Sequence, residues 1–126
     1  MTLEQYQRRA METCMLSCDN MSYMLLNLVG EVGEFASKVA KEIRKDNAYI
    51  GGGHSHIVFN WQTDEQREHE AKIRAEMRKE AGDILWQLAG LCHTMGWNLQ
   101  AVAEENLEKL ADRKERGVID GSGDNR

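Results

Sequence analysis

Apolar residues return at three- and four-residue intervals through most of the chain. The clearest series is Met21, Met24, Leu25, Leu28, Val32, Phe35, Val39 and Ile43, which predicts one long amphipathic helix from residue 21 to about 45. Ahead of it a helix is predicted over residues 3–16, opened by Thr2 with Gln5 three positions on, the spacing of a capping box, and broken over 17–20. From 46 to 62 the periodicity stops. Gly51-Gly52-Gly53 and the short apolar cluster Ile57, Val58, Phe59 and Trp61 read there as a loop. Thr63 and Asp64 open a third helix, carried by Ile73, Met77, Ile84, Leu85, Leu88, Leu91 and Cys92 toward Gly96, with a bend expected near Gly82. Asn98 caps a fourth helix through Val102, Leu107 and Leu110 to a basic last turn of Arg113, Lys114 and Arg116, stopped by Gly117. The tail, 117–126, is expected to be irregular. The pattern predicts an all-α fold: a four-to-five-helix bundle in a single domain over 1–126, small enough to bury further helix surface by self-association.

Composition narrows the classes of function. A chain of 126 residues suffices for one hydrophobic core. With no proline, 29% charged residues and a mean hydropathy of −0.61, it reads as a soluble cytoplasmic protein. No apolar run approaches the roughly 18 residues of a membrane span, and residues 1–9 lack the apolar core of a signal peptide. Cys14, Cys18 and Cys92 are odd in number and lie in helical patterns, so they are expected to be reduced. The net charge of −5 disfavours a nucleic-acid polymer as partner. A phosphorylated small molecule remains compatible, because a divalent cation held by acidic side chains reverses the local charge.

The second helix contains Glu31-Val32-Gly33-Glu34-Phe35 and the third Glu80-Ala81-Gly82-Asp83-Ile84, an approximate repeat that extends to Val39-Ala40 and Leu88-Ala89. Residues three apart share one side of a helix, so each pair can direct two carboxylates at one point. Glu31 lies between Leu28 and Phe35 on the apolar stripe, and Glu80 between Met77 and Ile84. Both are therefore expected to point partly inward, where an ionised acid needs a cation or hydrogen-bond donors. Each mid-helix glycine costs on the order of 1 kcal/mol relative to alanine. Close helix approach, or room for an ion and its waters, would offset that. Acid pairs such as Glu65/Glu68 and Glu105/Glu108 lack this context and read as solvated surface. Glu76, one turn before Glu80, is a further ligand candidate.

On the fourth helix Asn106, Lys109 and Arg113 share a face and offer donors to phosphate oxygens, although a basic helix C-terminus accounts for the cations equally well. Lys38, one turn after Glu34, is either a phosphate contact or half of a helical ion pair. Gly51–Gly53 lack the Gly-Lys-Ser/Thr ending of a P-loop. His54 and His56 lack further ligands for a transition metal. Di-iron chemistry is rejected because Gln66 and Gly90 precede His69 and His93 by three, where Glu-x-x-His pairs would be needed. Trp61 can stack on a base, whereas Trp86 and Trp97 read as core aromatics.

With these residues in hand, the chain resembles the MazG-like all-α nucleoside triphosphate pyrophosphohydrolases. The resemblance rests on Glu31-x-x-Glu34, then Glu80-x-x-Asp83, then Asn106-Leu107-Glu108-Lys109-Leu110 with Arg113 beyond. The ending, Arg116-Gly117-Val118-Ile119-Asp120-Gly121-Ser122-Gly123-Asp124-Asn125-Arg126, is similar to that of small stand-alone members. It implies cleavage between the α and β phosphates, giving a nucleoside monophosphate and pyrophosphate. It also implies Mg²⁺ or Mn²⁺ at Glu31, Glu34, Glu80 and Asp83, two or more ions per site, in a homodimer or homotetramer. Asn106, Lys109 and Arg113 become phosphate contacts, and the base pocket points to Asn20 and the turn before it. The segment 46–62 departs from minimal members. Glu34, at the edge of the apolar stripe and the more reachable by water, is the favoured general base. A purine deoxynucleotide such as dGTP is the favoured substrate. The alternatives are a non-catalytic helical interaction protein and a hydrolase of the same fold acting on another phosphorylated nucleotide.

Overall fold

Side-chain caps open several helices of the computed structural model, which describes residues 1–51, 57–60 and 62–125. Helix α1 (Leu3–Met11) begins with the reciprocal Thr2/Gln5 capping box, α3 (Asp64–Thr94) with the equivalent Thr63/Gln66 pair, and α4 (Leu99–Glu115) with the Asn98 side chain accepting from the amides of Gln100 and Ala101. Between them α2 runs from Met21 to Arg44. Gly96 and Gly117 end α3 and α4 with φ of 72° and 68°, the left-handed cap that glycine adopts without steric cost. Asp46 does the same after α2 at φ 58°, while the Asn47 amide returns to the Glu42 carbonyl at 2.9 Å.

Three expectations are corrected. The first helix stops at Met11 rather than 16. The Thr13 hydroxyl takes the Ala10 carbonyl at 2.7 Å, competing with helix continuation, and Met15 and Leu16 find no cover that would reward it; a short 3₁₀ turn, Leu16–Cys18, follows. The segment expected as a loop carries an antiparallel pair, β1 (Ala48–Ile50) and β2 (Ile57–Phe59), with Ala48 opposite Phe59 and Ile50 opposite Ile57. Trp97 is 52% exposed rather than in the core, since it sits in the turn after Gly96. Helix α3 continues unbroken through Gly82. The cysteines are free, with Cys92 buried. The two-stranded pair leaves the fold all-α in character.

The chain divides into two compact units. In residues 1–21 with 89–126, α1 meets the end of α3 and the start of α4 around Ala89, Cys92 and Leu99, with Leu3, Tyr6 and Val102 against them. Buried Gln7 stitches these elements together. Its amide donates to the carbonyls of Ala89 (3.2 Å) and Trp97 (3.0 Å), and its oxygen accepts from the Leu99 amide (2.9 Å).

In residues 22–88 the core gathers Ala48, Phe59, Ile73 and Met77, flanked by Phe35, Val39 and Ile57, and Met24 is wholly buried. The strand pair thus has a packing role, as its Ala48 and Phe59 ends cover α3. Arg74 lies 5.3 Å from the Phe59 ring centroid. The apolar stripe of α2 is covered only in part. Met24, Leu28, Phe35 and Val39 are shielded, whereas Met21, Leu25, Val32 and Ile43 remain between 42% and 49% exposed and Leu26 and Val29 more so.

Candidate metal centre

Helices α2 and α3 bring three of the four expected acids together. One carboxylate oxygen each from Glu31, Glu80 and Asp83 lies within 4.8 Å of the other two. Glu31 and Glu80 are half-buried and Asp83 exposed, a gradient from core to solvent. Glu34 lies on the exposed side of α2, outside this trio. Burial raises the Glu31 carboxyl above the ordinary glutamate range, and the charges of Glu34, Asp83 and Glu80 add to it. The Asn27 amide, donating at 3.0 Å, pulls the other way. Such a group gains most from a cation. Hard oxygen donors converging at this spacing fit Mg²⁺ or Mn²⁺.

A side-chain cation already compensates part of the charge. The Lys38 ammonium lies 3.3 Å from Glu80 Oε1 and 3.6 Å from Glu76 Oε2, and the hydrogen bond to Glu80 raises the pKa of Lys38. Glu76 is thereby paired with lysine. The two glycines of the repeat do not mark a close helix approach: an added Cβ at Gly33 or Gly82 would meet no described atom within 4 Å. Both stand open beside the acid pairs, which leaves room for solvent or ligand.

Sequence reasoning missed Gln87. It falls one turn past Asp83 on the face that also carries Glu80, is 3% exposed, and its Oε1 has no hydrogen-bond partner among the described residues. The only sequence signal was a polar residue amid Leu85, Trp86 and Leu88.

Further along α2, Glu42 is 3% exposed, and one of its oxygens accepts from Asn47 Nδ2 at 3.0 Å and pairs with His69 Nε2 at 2.8 Å. Burial alone would raise this carboxyl, but Asn47 and His69 together hold it below the usual range. The stability it contributes is therefore present above the unfolded value near 4.5 and is lost as pH falls through the lower folded value. Glu42→Gln is expected to cost about 1–3 kcal/mol near neutral pH and to flatten the acid limb of stability, checked by urea midpoints from neutral to acid pH. The adjoining cleft, about 240 Å³, is lined by Asn47, Phe59, Asn60, Glu65, Gln66 and His69. Asn47, Asn60 and Gln66 already bond to Glu42, to the Asp46 carbonyl and to the α3 cap, so the cleft belongs to the scaffold.

In the other unit Asn106 and Lys109 line a depression of about 360 Å³ with Val102 and Glu105. Arg113 is buried, and its Nη2 donates to Asp124 Oδ1 (3.1 Å) and to the carbonyls of Asp124 (3.0 Å) and Gly123 (3.5 Å). Asn20 donates from Nδ2 to the Ser17 carbonyl at 3.0 Å. Trp61, His54 and His56 lie outside the described residues.

The fold is helical but for one strand pair, and two of its helices converge three carboxylates on one point. Residues 20–118 match the MazG nucleotide pyrophosphohydrolase domain, and the chain belongs to that family. Over 133 aligned positions it is 36% identical to the Gene 37 protein of Mycobacterium phage L5, with both chains covered completely. No solved structure matches the chain. The family carries nucleotide pyrophosphohydrolase activity and is typically dependent on divalent metal. No helix among the described residues is long and apolar enough to cross a membrane.

Proposed function

We propose that this chain hydrolyses a (deoxy)nucleoside triphosphate to the monophosphate and pyrophosphate, with Mg²⁺ or Mn²⁺, two or more ions per site, held by Glu31, Glu34, Glu80 and Asp83. The observation that carries the proposal is the convergence of Glu31, Glu80 and Asp83 within 4.8 Å in a chain of this family. Bound there, a divalent ion would supply neutralisation of the triphosphate charge and a lowered pKa for an attacking water. The chain's own groups do the rest. Glu31 and Glu80, half-buried, fix the donor geometry from two helices. Glu34, exposed beside them, takes the proton of the attacking water as general base. Lys38, Asn106 and Lys109 are the phosphate contacts, while Asn20 and Trp61 serve the base; Arg113, expected among the contacts, has its Nη2 engaged by residues 123 and 124 and supports them from behind. A purine such as dGTP is the favoured substrate.

The exposed apolar positions of α2, Leu25, Leu26, Val29 and Val32 among them, support assembly as a homodimer or homotetramer, since such a row is covered by a second copy more readily than by water. A cytoplasmic location is part of the same reading, supported by the free cysteines.

The test is incubation of purified protein with each common NTP and dNTP plus Mg²⁺, followed by separation of products. Monophosphate and pyrophosphate, lost on chelation, are expected, and the fastest substrate identifies the base. Diphosphate with inorganic phosphate, or no turnover of any triphosphate, overturns the proposal.

A further inference from the structure

The C-terminal turn lies against the last part of α4 through one buried cation. Arg113, with a side chain only 6% exposed, has its Nη2 committed to two main-chain carbonyls and one carboxylate of residues 123 and 124. A buried guanidinium stripped of such partners is left as an uncompensated charge, so Arg113 does not readily exchange them for a passing phosphate. Lys109, one turn earlier on the same face, differs. Its side chain is 42% exposed, and its ammonium makes a single 3.5 Å contact with the same Asp124 Oδ1. An ammonium has three donors, so one tether leaves two for a ligand.

We propose that Asp124 is a positioning residue, holding the Lys109 ammonium for triphosphate oxygens, while Arg113 anchors the turn that carries Asp124 rather than touching substrate. The reasoning is one of division of labour between the two cations. Asp124 is 84% exposed and would wander if attached only to Lys109, because an isolated surface ion pair fixes little. Arg113 removes that freedom by binding the main-chain carbonyls that precede and follow the Asp124 Cα as well as the carboxylate. Gly123 permits the approach through its positive φ of 79°. Two cations share one carboxylate, so the cluster keeps one net positive charge and still attracts a polyphosphate. Arg113 and Lys109 together hold the Asp124 carboxyl below the usual aspartate range, so it stays charged. Lys109 lines one depression together with Val102, Glu105 and Asn106.

This inference rests on the reading of Lys109 as a phosphate contact. It is tested on the full chain with Asp124→Asn, Asp124→Glu, Lys109→Met and the Asp124→Asn/Lys109→Met double variant. Asparagine keeps both main-chain carbonyls on Arg113, so the turn is preserved and unfolding temperature serves as the control. Asp124→Asn is expected to raise KM for the triphosphate roughly three- to tenfold, with kcat changed much less. Asp124→Glu restores part of the loss, and the double variant is no worse than Lys109→Met alone. Calorimetric titration with inorganic triphosphate and Mg²⁺ should follow the same order. An unchanged or lowered KM in Asp124→Asn, or effects that multiply in the double variant, overturns the positioning role while leaving the hydrolase reading intact. A wild-type chain that neither turns over nucleotides nor binds inorganic triphosphate overturns both.

Discussion

Asp83→Asn and Glu80→Gln are expected to abolish pyrophosphate release while leaving circular-dichroism helicity unchanged. Each removes a negative oxygen from the trio formed with Glu31, and losing a direct ligand should exceed the roughly 10–100-fold that losing an outer-shell partner costs. The stability response should run opposite to the activity. Without added ions, Asp83→Asn relieves repulsion on the raised Glu31 carboxyl and is expected to unfold at the same temperature as wild type or higher. With saturating Mg²⁺ the wild type gains about 2.7 kcal/mol at a hundredfold excess over Kd, a gain the variant should lack. Ion affinity should weaken as pH falls through the raised value of Glu31, where proton and metal compete for one oxygen. Differential scanning fluorimetry with and without Mg²⁺, beside product analysis, reads both effects. Full turnover in Asp83→Asn would exclude the trio as the catalytic centre. Glu34→Gln separates two roles for that residue: near-complete loss of turnover with Mg²⁺ stabilisation retained marks it as the base, and loss of both marks it as a ligand.

The largest structural effect is expected at Gln7. Gln7→Leu keeps the volume but strips the acceptor from the first amide of α4 and the donor from the Trp97 carbonyl, neither of which a helix satisfies by itself. Two such losses cost about 2–4 kcal/mol, a fall of roughly 10 °C in Tm for a chain of this size. Gln7→Glu retains the acceptor and loses the donor, so it should fall between. Equal Tm values for wild type and Gln7→Leu would mean that solvent replaces both bonds.

Much of this was legible because it is local. Thr2 with Gln5, Asn98 and Gly117 each announce a helix end through a bond made within a few residues, and the structure makes those bonds. Glu31, Glu80 and Asp83 were legible as a group because helical spacing fixes direction, and the repeat joined two helices that no short-range rule links. What failed depended on distant partners. The pairing of Ala48 with Phe59 involves runs too short to show alternation, and their role appears only when Ile73 and Met77 are seen beneath them. Thr13 ends α1 by a side-chain bond that competes with an otherwise continuous pattern. Glu34 was legible as the stripe-edge acid more open to water, and it is exposed, but a stripe edge read from sequence does not say that its carboxylate comes to rest outside the trio. Arg113 read as a free cation because its partners, eleven positions on for Asp124, lie in a tail with no periodicity.

Lys38 gives the carboxylate trio a resident counter-ion, tethered to the chain and unable to diffuse away. Chelation therefore exposes the acids to one another only partially, and the emptied protein has no need to open in order to relieve their repulsion. Reconstitution after dialysis becomes a matter of displacing an ammonium group from Glu80 rather than refolding a helix pair, so one preparation can be cycled between ion-free and ion-loaded forms and compared with different metals.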